Sequence, residues 1–167
     1  MTDTTHVSQH TQSAQKKSQR PENYSRLLKQ TTNQLNRSFD EFAAHYGLTG
    51  NQMSVIDFLS TRPGNAAEQR DIEIEFDIRR SSVTTMLQRM ERKGLLIREQ
   101  APDDARRKIV RLTAEANKLI SVVTEYIDSE QRLFEERFGE SRIADLKRML
   151  AFFVDHRTEE SRKRNLQ

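Results

Sequence analysis

The sequence predicts a mainly α-helical fold carrying one small β-hairpin, within a single compact domain flanked by tails. Three observations lead there. Apolar residues recur at spacings of three, four and seven through most of the chain, as they do in helices with one buried face. Between Gly94 and Thr113 that period gives way to alternation, the mark of short strands. The 167 residues suit one domain, and 34% hydrophobic against 32% charged residues describes a lean core under a heavily solvated surface. That balance fits amphipathic helices whose apolar area is partly covered by a partner chain.

Residues 1–22 are rich in Thr, Ser, Gln, His and Lys and close at Pro21, which predicts a disordered polar tail. The domain proper is expected over residues 23–156. From Tyr24 a helix is predicted by Leu28, Leu35, Phe39, Phe42 and Tyr46, and Gly47 supplies its stop through a left-handed conformation. Thr49 and Gln52 form a T-x-x-Q capping box that opens a second helix, flanked by Leu48 and Met53 as a hydrophobic staple. Arg62-Pro63-Gly64-Asn65 breaks it. Asn65 and Glu68 read as a further N-x-x-E cap, starting a short helix that runs to Phe76. A tight connection at Asp77-Ile78 leads into a helix with Val83, Leu87 and Met90 inward, ended by Gly94.

Strands are predicted at Leu95 to Glu99 and Lys108 to Leu112, joined by a polar loop from Gln100 to Arg107. Thr113 caps a long helix, with Glu115 near its positive end and an apolar face from Leu119 to Phe138. A break near Gly139 precedes a last helix containing Ile143, Leu146, Met149, Leu150, Phe153 and Val154. Residues 157–167 form a charged tail.

Several function classes drop out on composition. The absence of cysteine removes disulfides, thiolate nucleophiles, Cys-ligated zinc and thiol-based sensing. The histidines, His6, His10, His45 and His156, match no metal spacing, and His45 is read as a helix-end residue bonded to backbone. Five glycines leave no phosphate-cradling loop. Neither a cofactor, a metal nor a catalytic residue is expected, and the chain is not read as an enzyme. No apolar run reaches the ~20 residues of a membrane span, and residues 1–20 lack a signal-type apolar segment; a cytoplasmic location is the expectation.

The charge distribution is more telling. From Asp77 to Thr113 ten basic side chains face five acidic ones, a net of +5 in a chain whose formal net charge is +3. A basic segment on a slightly acidic body suits phosphate, although a solvated charged face would look the same.

Helix, short helix, tight turn, helix and hairpin is the order of a winged helix-turn-helix. Its second helix is narrow enough to enter a major groove. Ser81, Thr84, Thr85 and Gln88 share the face opposite Val83, Leu87 and Met90, and Arg79 and Arg80 stand at the helix start, where amides and positive charge favour a phosphate. An ordinary surface helix would account for that polar face by itself. The hairpin tip adds Asp104, Arg106, Arg107 and Lys108 within five residues, and a guanidinium on a protruding loop suits the negative potential of a minor groove.

The run Asp104-Ala-Arg-Arg-Lys-Ile-Val-Arg-Leu-Thr113 resembles the D-x-R-x5-L-T wing pattern of the MarR family of transcription regulators, and Glu75 to Leu95 resembles its recognition helix. The similarity extends from about Tyr24 to Val154. Two departures are Arg79, where a small capping residue is commoner, and Asp77, where Gly is common.

The resemblance implies that Arg106 enters the minor groove with Asp104 steadying it. It implies that Ser81, Ser82, Thr84, Thr85 and Gln88 read the major groove. It further implies a winged helix-turn-helix at about 49–113, and a dimerisation region built from N- and C-terminal helices at about 24–46 and 113–156. Two recognition helices roughly 34 Å apart would then read an inverted repeat in double-stranded DNA as a homodimer, with the protein acting as a repressor. A small aromatic or phenolic effector would sit among the first, second and fifth helices, near His45, Tyr46 and Met53, residues that core or helix-end packing explains equally well. The alternative is a winged-helix docking module that binds protein instead of DNA. It calls for an apolar or acidic surface where this chain places arginine, lysine, serine and threonine. An RNA-binding winged helix would call for exposed aromatics, and residues 77–113 contain none.

Overall fold

The computed structural model describes residues 23–164; the polar segment 1–22 lies outside the described residues. Helix α1 (Tyr24–Ala44) starts at Asn23, whose side chain accepts from the Ser25 amide at 2.9 Å. It ends where Gly47 takes φ +67° and the Leu48 amide returns to the Ala43 carbonyl at 3.0 Å. A side chain at Gly47 would strain this left-handed position.

Helix α2 (Gly50–Ser60) carries both bonds of the predicted capping box, Gln52 N to Thr49 Oγ1 at 3.3 Å and Thr49 N to Gln52 Oε1 at 3.2 Å. Asp40 of α1 takes the Gly50 amide at 2.7 Å. The helices meet so closely there that a Cβ on Gly50 would lie 3.3 Å from the Asp40 backbone nitrogen. α2 is the centre of the core, with Met53, Val55, Ile56 and Leu59 fully enclosed.

The next segment departs from the sequence reading. Pro63–Asn65 is a single 3-10 turn, and Asn65 does not cap a helix. Its φ is +51°, and its side chain donates to Asn117 Oδ1 at 3.1 Å. Ala66–Glu68 form a strand, β1, and Glu68 occupies the N-cap of α3 (Gln69–Glu75), with its amide donating to Asp71 Oδ2 at 3.2 Å. An extended strand satisfies the Ala66–Glu68 backbone against Ile109–Arg111, a neighbour much later in the chain.

After α4 (Arg80–Arg92), β2 (Leu96–Gln100) and β3 (Lys108–Leu112) form the hairpin, with β2 one residue later than its pattern suggests. The sheet has three strands in the order β1-β3-β2, all antiparallel. Ala66 pairs with Arg111 and Glu68 with Ile109 on one side of β3; Leu96 pairs with Leu112 and Gln100 with Lys108 on the other. Arg111 clips the sheet to the 3-10 turn by donating to the Gly64 carbonyl at 2.8 Å.

Thr113 explains why a threonine follows Leu112. Its hydroxyl accepts from the Ala116 amide at 3.3 Å, capping α5 (Ala114–Phe138), and donates to the Gly94 carbonyl at 2.7 Å. The wing is thereby tied to the end of α4. At the same end, Lys93 Nζ donates to the Gly47 carbonyl at 2.5 Å. α5 packs along α2, and α6 (Glu140–Arg164) folds back after Gly139, running on past residue 157, where the charged tail was placed.

One core joins Ala43, Leu48, the α2 residues, Ile72, Val83, Leu87, Met90, Val110, Leu112 and Val123. Phe39, Phe42 and Tyr126 stack between α1 and α5, with centroids 5.2 and 4.2 Å apart. A separate apolar surface stays exposed on the terminal helices, including Leu27, Leu133, Phe134, Phe138, Met149 and Phe152.

Candidate nucleic-acid interface

α3 and α4 meet at a Schellman closure. Asp77 N reaches the Ile74 carbonyl at 3.3 Å and Ile78 N the Glu73 carbonyl at 3.2 Å, with Asp77 at φ +48°. This is the position where the sequence departs from the commoner Gly, and the aspartate adopts the left-handed conformation that glycine would favour. Arg79 stands at the N-cap of α4 without a side-chain cap bond.

Val83, Leu87 and Met90 are fully buried, which fixes the rotation of α4. Arg79, Arg80, Ser81, Ser82, Thr85 and Gln88 are all exposed, and the Thr85 hydroxyl donates to the Ser81 carbonyl at 3.0 Å. Thr84 is different. It is half-buried against α3 and accepts from Gln69 Nε2 at 3.0 Å, so it bridges the two helices from the edge of the outer face. Sequence reading missed Arg89, exposed one turn beyond Thr85. With Ser81, Ser82 and Thr85 it lines a groove of about 590 Å³ that runs to Asp40 and Asn51. Its spacing of four from Thr85 was the available signal.

On the wing, Asp104 holds Arg106 in three ways. Asp104 Oδ1 accepts from the Arg106 amide at 2.9 Å and from its Nε at 3.1 Å, and Oδ2 accepts from Nη2 at 3.3 Å. The Arg106 side chain is nevertheless 91% exposed. Its hydrogen bonds hold the Asp104 carboxyl below the usual carboxylate range. Exposed cation and bound anion together present a guanidinium at the tip of the sheet with Asp104 beside it. Lys108 is exposed at the start of β3.

Arg107 does not share that situation. Its Nε donates to Glu68 Oε2 at 3.1 Å, its Nη2 to Glu68 Oε1, and its Nη1 to Asp103 Oδ2 at 2.6 Å. Glu68 is held below, and Arg107 above, its ordinary range chiefly by their shared hydrogen bond.

Of the three residues expected near an effector, Met53 is fully enclosed in the core. His45 Nδ1 lies 3.2 Å from the Phe42 carbonyl, and Tyr46 rests on Phe42 with centroids 5.5 Å apart. Among the described residues no helix is long and apolar enough to cross a membrane.

A helix-turn-helix set beside a three-stranded wing with a presented cation defines the winged helix-turn-helix proteins as the class. The sequence profile of the MarR family matches residues 46–107, from the end of α1 to the wing. The HTH-type transcriptional regulator FarR of Neisseria gonorrhoeae is 31% identical over 104 residues, 62% of this chain and 70% of its own. The homoprotocatechuate degradative operon repressor of Escherichia coli is 28% identical over 116 residues, 70% of this chain and 77% of its own. Among solved structures, the transcription regulator MarR from Oenococcus oeni superposes with a TM-score of 0.70 at 40% identity, covering 80% of this chain and 99% of that one. The chain belongs to the MarR family and is a DNA-binding transcription regulator.

Proposed function

We propose that this protein is a non-enzymatic, cytoplasmic repressor that binds an inverted-repeat operator as a homodimer and is released by a small phenolic effector. The observation that carries the DNA-binding geometry is the Asp104–Arg106 clasp, which presents an exposed guanidinium beside the exposed polar face of α4. Ser81, Ser82, Thr85, Gln88 and Arg89 supply short and long hydrogen-bonding groups for base edges in the major groove. Arg79, Arg80 and Lys108 are placed for phosphates on either side, and Arg106 for the minor groove. Thr84 acts from behind, through Gln69.

The working unit is residues 23–156, with the winged helix-turn-helix at 49–113 and the dimerisation helices at 24–46 and 113–156. The apolar surface left exposed on α1, α5 and α6 supports the dimer. A two-fold axis through it sets two α4 helices one DNA turn apart, roughly 34 Å. Repression and a phenolic effector are supported by the E. coli relative, named for repression of an operon that degrades homoprotocatechuate.

Selection of bound fragments from sheared genomic DNA, with light scattering of the complex, tests this reading. Enrichment of one inverted repeat bound by two chains is the expected result. Recovery of fragments without a common sequence, or binding by a single chain, would contradict it.

A further inference from the structure

Arg106 and Arg107 are neighbours with opposite surroundings. The Arg106 side chain is 91% exposed with a single carboxylate beside it. The Arg107 guanidinium places two edges on carboxylates, a two-pronged fork on Glu68 and a single bond to Asp103, the planar match that arginine makes and lysine cannot. Arg107, Glu68 and Asp103 together carry a charge of −1, which leaves no unneutralised cation for a phosphate.

Glu68 is also the joint between two parts of the fold. It is the last residue of β1 and the N-cap of α3, the first helix of the helix-turn-helix. The main chain of Arg107 closes the wing loop as well: its amide donates to the Asp104 carbonyl at 2.9 Å and its carbonyl accepts from Ala101 N at 3.0 Å. Holding Arg107 on the β1 side therefore anchors the turn that carries its neighbour Arg106.

We propose that Arg107 is a positioning residue: through Glu68 it locks the wing to the helix-turn-helix and so anchors the turn that carries Arg106, without itself contacting DNA. This rests on the reading of Arg106 as the groove contact. Freed of the lock, the loop must be ordered on binding, which weakens the complex while the number of phosphates contacted stays the same.

The test measures operator affinity of the full-length dimer against salt concentration for the wild type, Arg107→Gln, Arg107→Lys, Glu68→Gln, the Arg107→Gln/Glu68→Gln double variant and Arg106→Ala. Circular dichroism melts confirm folding. We expect Arg107→Gln and Glu68→Gln each to weaken binding about three- to tenfold, with the double variant no weaker than either. The wild-type salt slope should be retained, and Arg107→Lys should not restore binding. The Glu68 result is the sharpest, because removing a negative charge near DNA would otherwise tighten binding.

A salt slope smaller by about 0.9 in Arg107→Gln, with near-normal binding by Arg107→Lys, would make Arg107 a phosphate contact and overturn the proposal. Unchanged or tighter binding by Glu68→Gln would overturn it too. Wild-type affinity in Arg106→Ala would instead remove the wing contact itself, and with it any reason for a positioning role.

Discussion

Gln69 donates from Nε2 to the Thr84 hydroxyl at 3.0 Å, joining the two helices of the helix-turn-helix across a mostly buried contact. The same nitrogen donates to Glu73 Oε1 at 3.0 Å, so both of its protons are placed. Gln69 is 7% exposed, and its Oε1 has no hydrogen-bond partner among the described residues. Thr84→Val keeps the shape and removes the acceptor, stranding one Gln69 proton. The expected loss is about 1–2 kcal/mol of stability, read by urea denaturation, with salt dependence of operator binding unchanged. No loss of stability would mean that water serves the proton equally well.

Asp77 sits at φ +48° in the turn between α3 and α4. A left-handed conformation costs a non-glycine residue about 1–2 kcal/mol, less for a short polar side chain. Asp77→Gly should therefore raise stability by about 0.5 kcal/mol, and Asp77→Val should lower it by more than that. Thermal melts of the two variants against the wild type check the order.

Burial holds the Asp57 carboxyl above its ordinary value of 3.8, and the negative charge of Asp128 on α5 adds to this. The folded state thus keeps the Asp57 proton to higher pH than the unfolded state does. Its charge costs stability at neutral pH, and that cost fades as pH falls through the raised value towards 3.8. Asp57→Asn is expected to melt higher than the wild type at pH 7, with the difference shrinking as pH is lowered towards 4. A constant difference across pH would point to packing and not to charge.

Legibility varied with how local each signal was. The Thr49–Gln52 box, the Thr113 cap and the stops at Gly47 and Gly94 involve neighbours in the chain, and the structure contains them as read. The Asp104–Arg106 clasp is equally local, two residues apart. Asn65 and Glu68 misled because a three-residue strand has no periodicity of its own. Only its pairing with Ile109, Val110 and Arg111 defines it. Arg106 and Arg107 are indistinguishable as letters, and what separates them is Glu68, 39 residues away in sequence. Thr84 was placed with Ser81, Thr85 and Gln88 by helical spacing. It lies at the edge of that face, where α3 covers it.

The measurement that bears most directly on the DNA-binding account is operator affinity of Arg106→Ala against the wild type at two salt concentrations. The Arg106 side chain is exposed, so folding should be unaffected. The account predicts wild-type binding that weakens steeply with salt, as phosphate contacts require, and at least a tenfold loss in Arg106→Ala, in the range of losing a bidentate or groove-inserted arginine. Equal binding by the two proteins at both salt concentrations would contradict it.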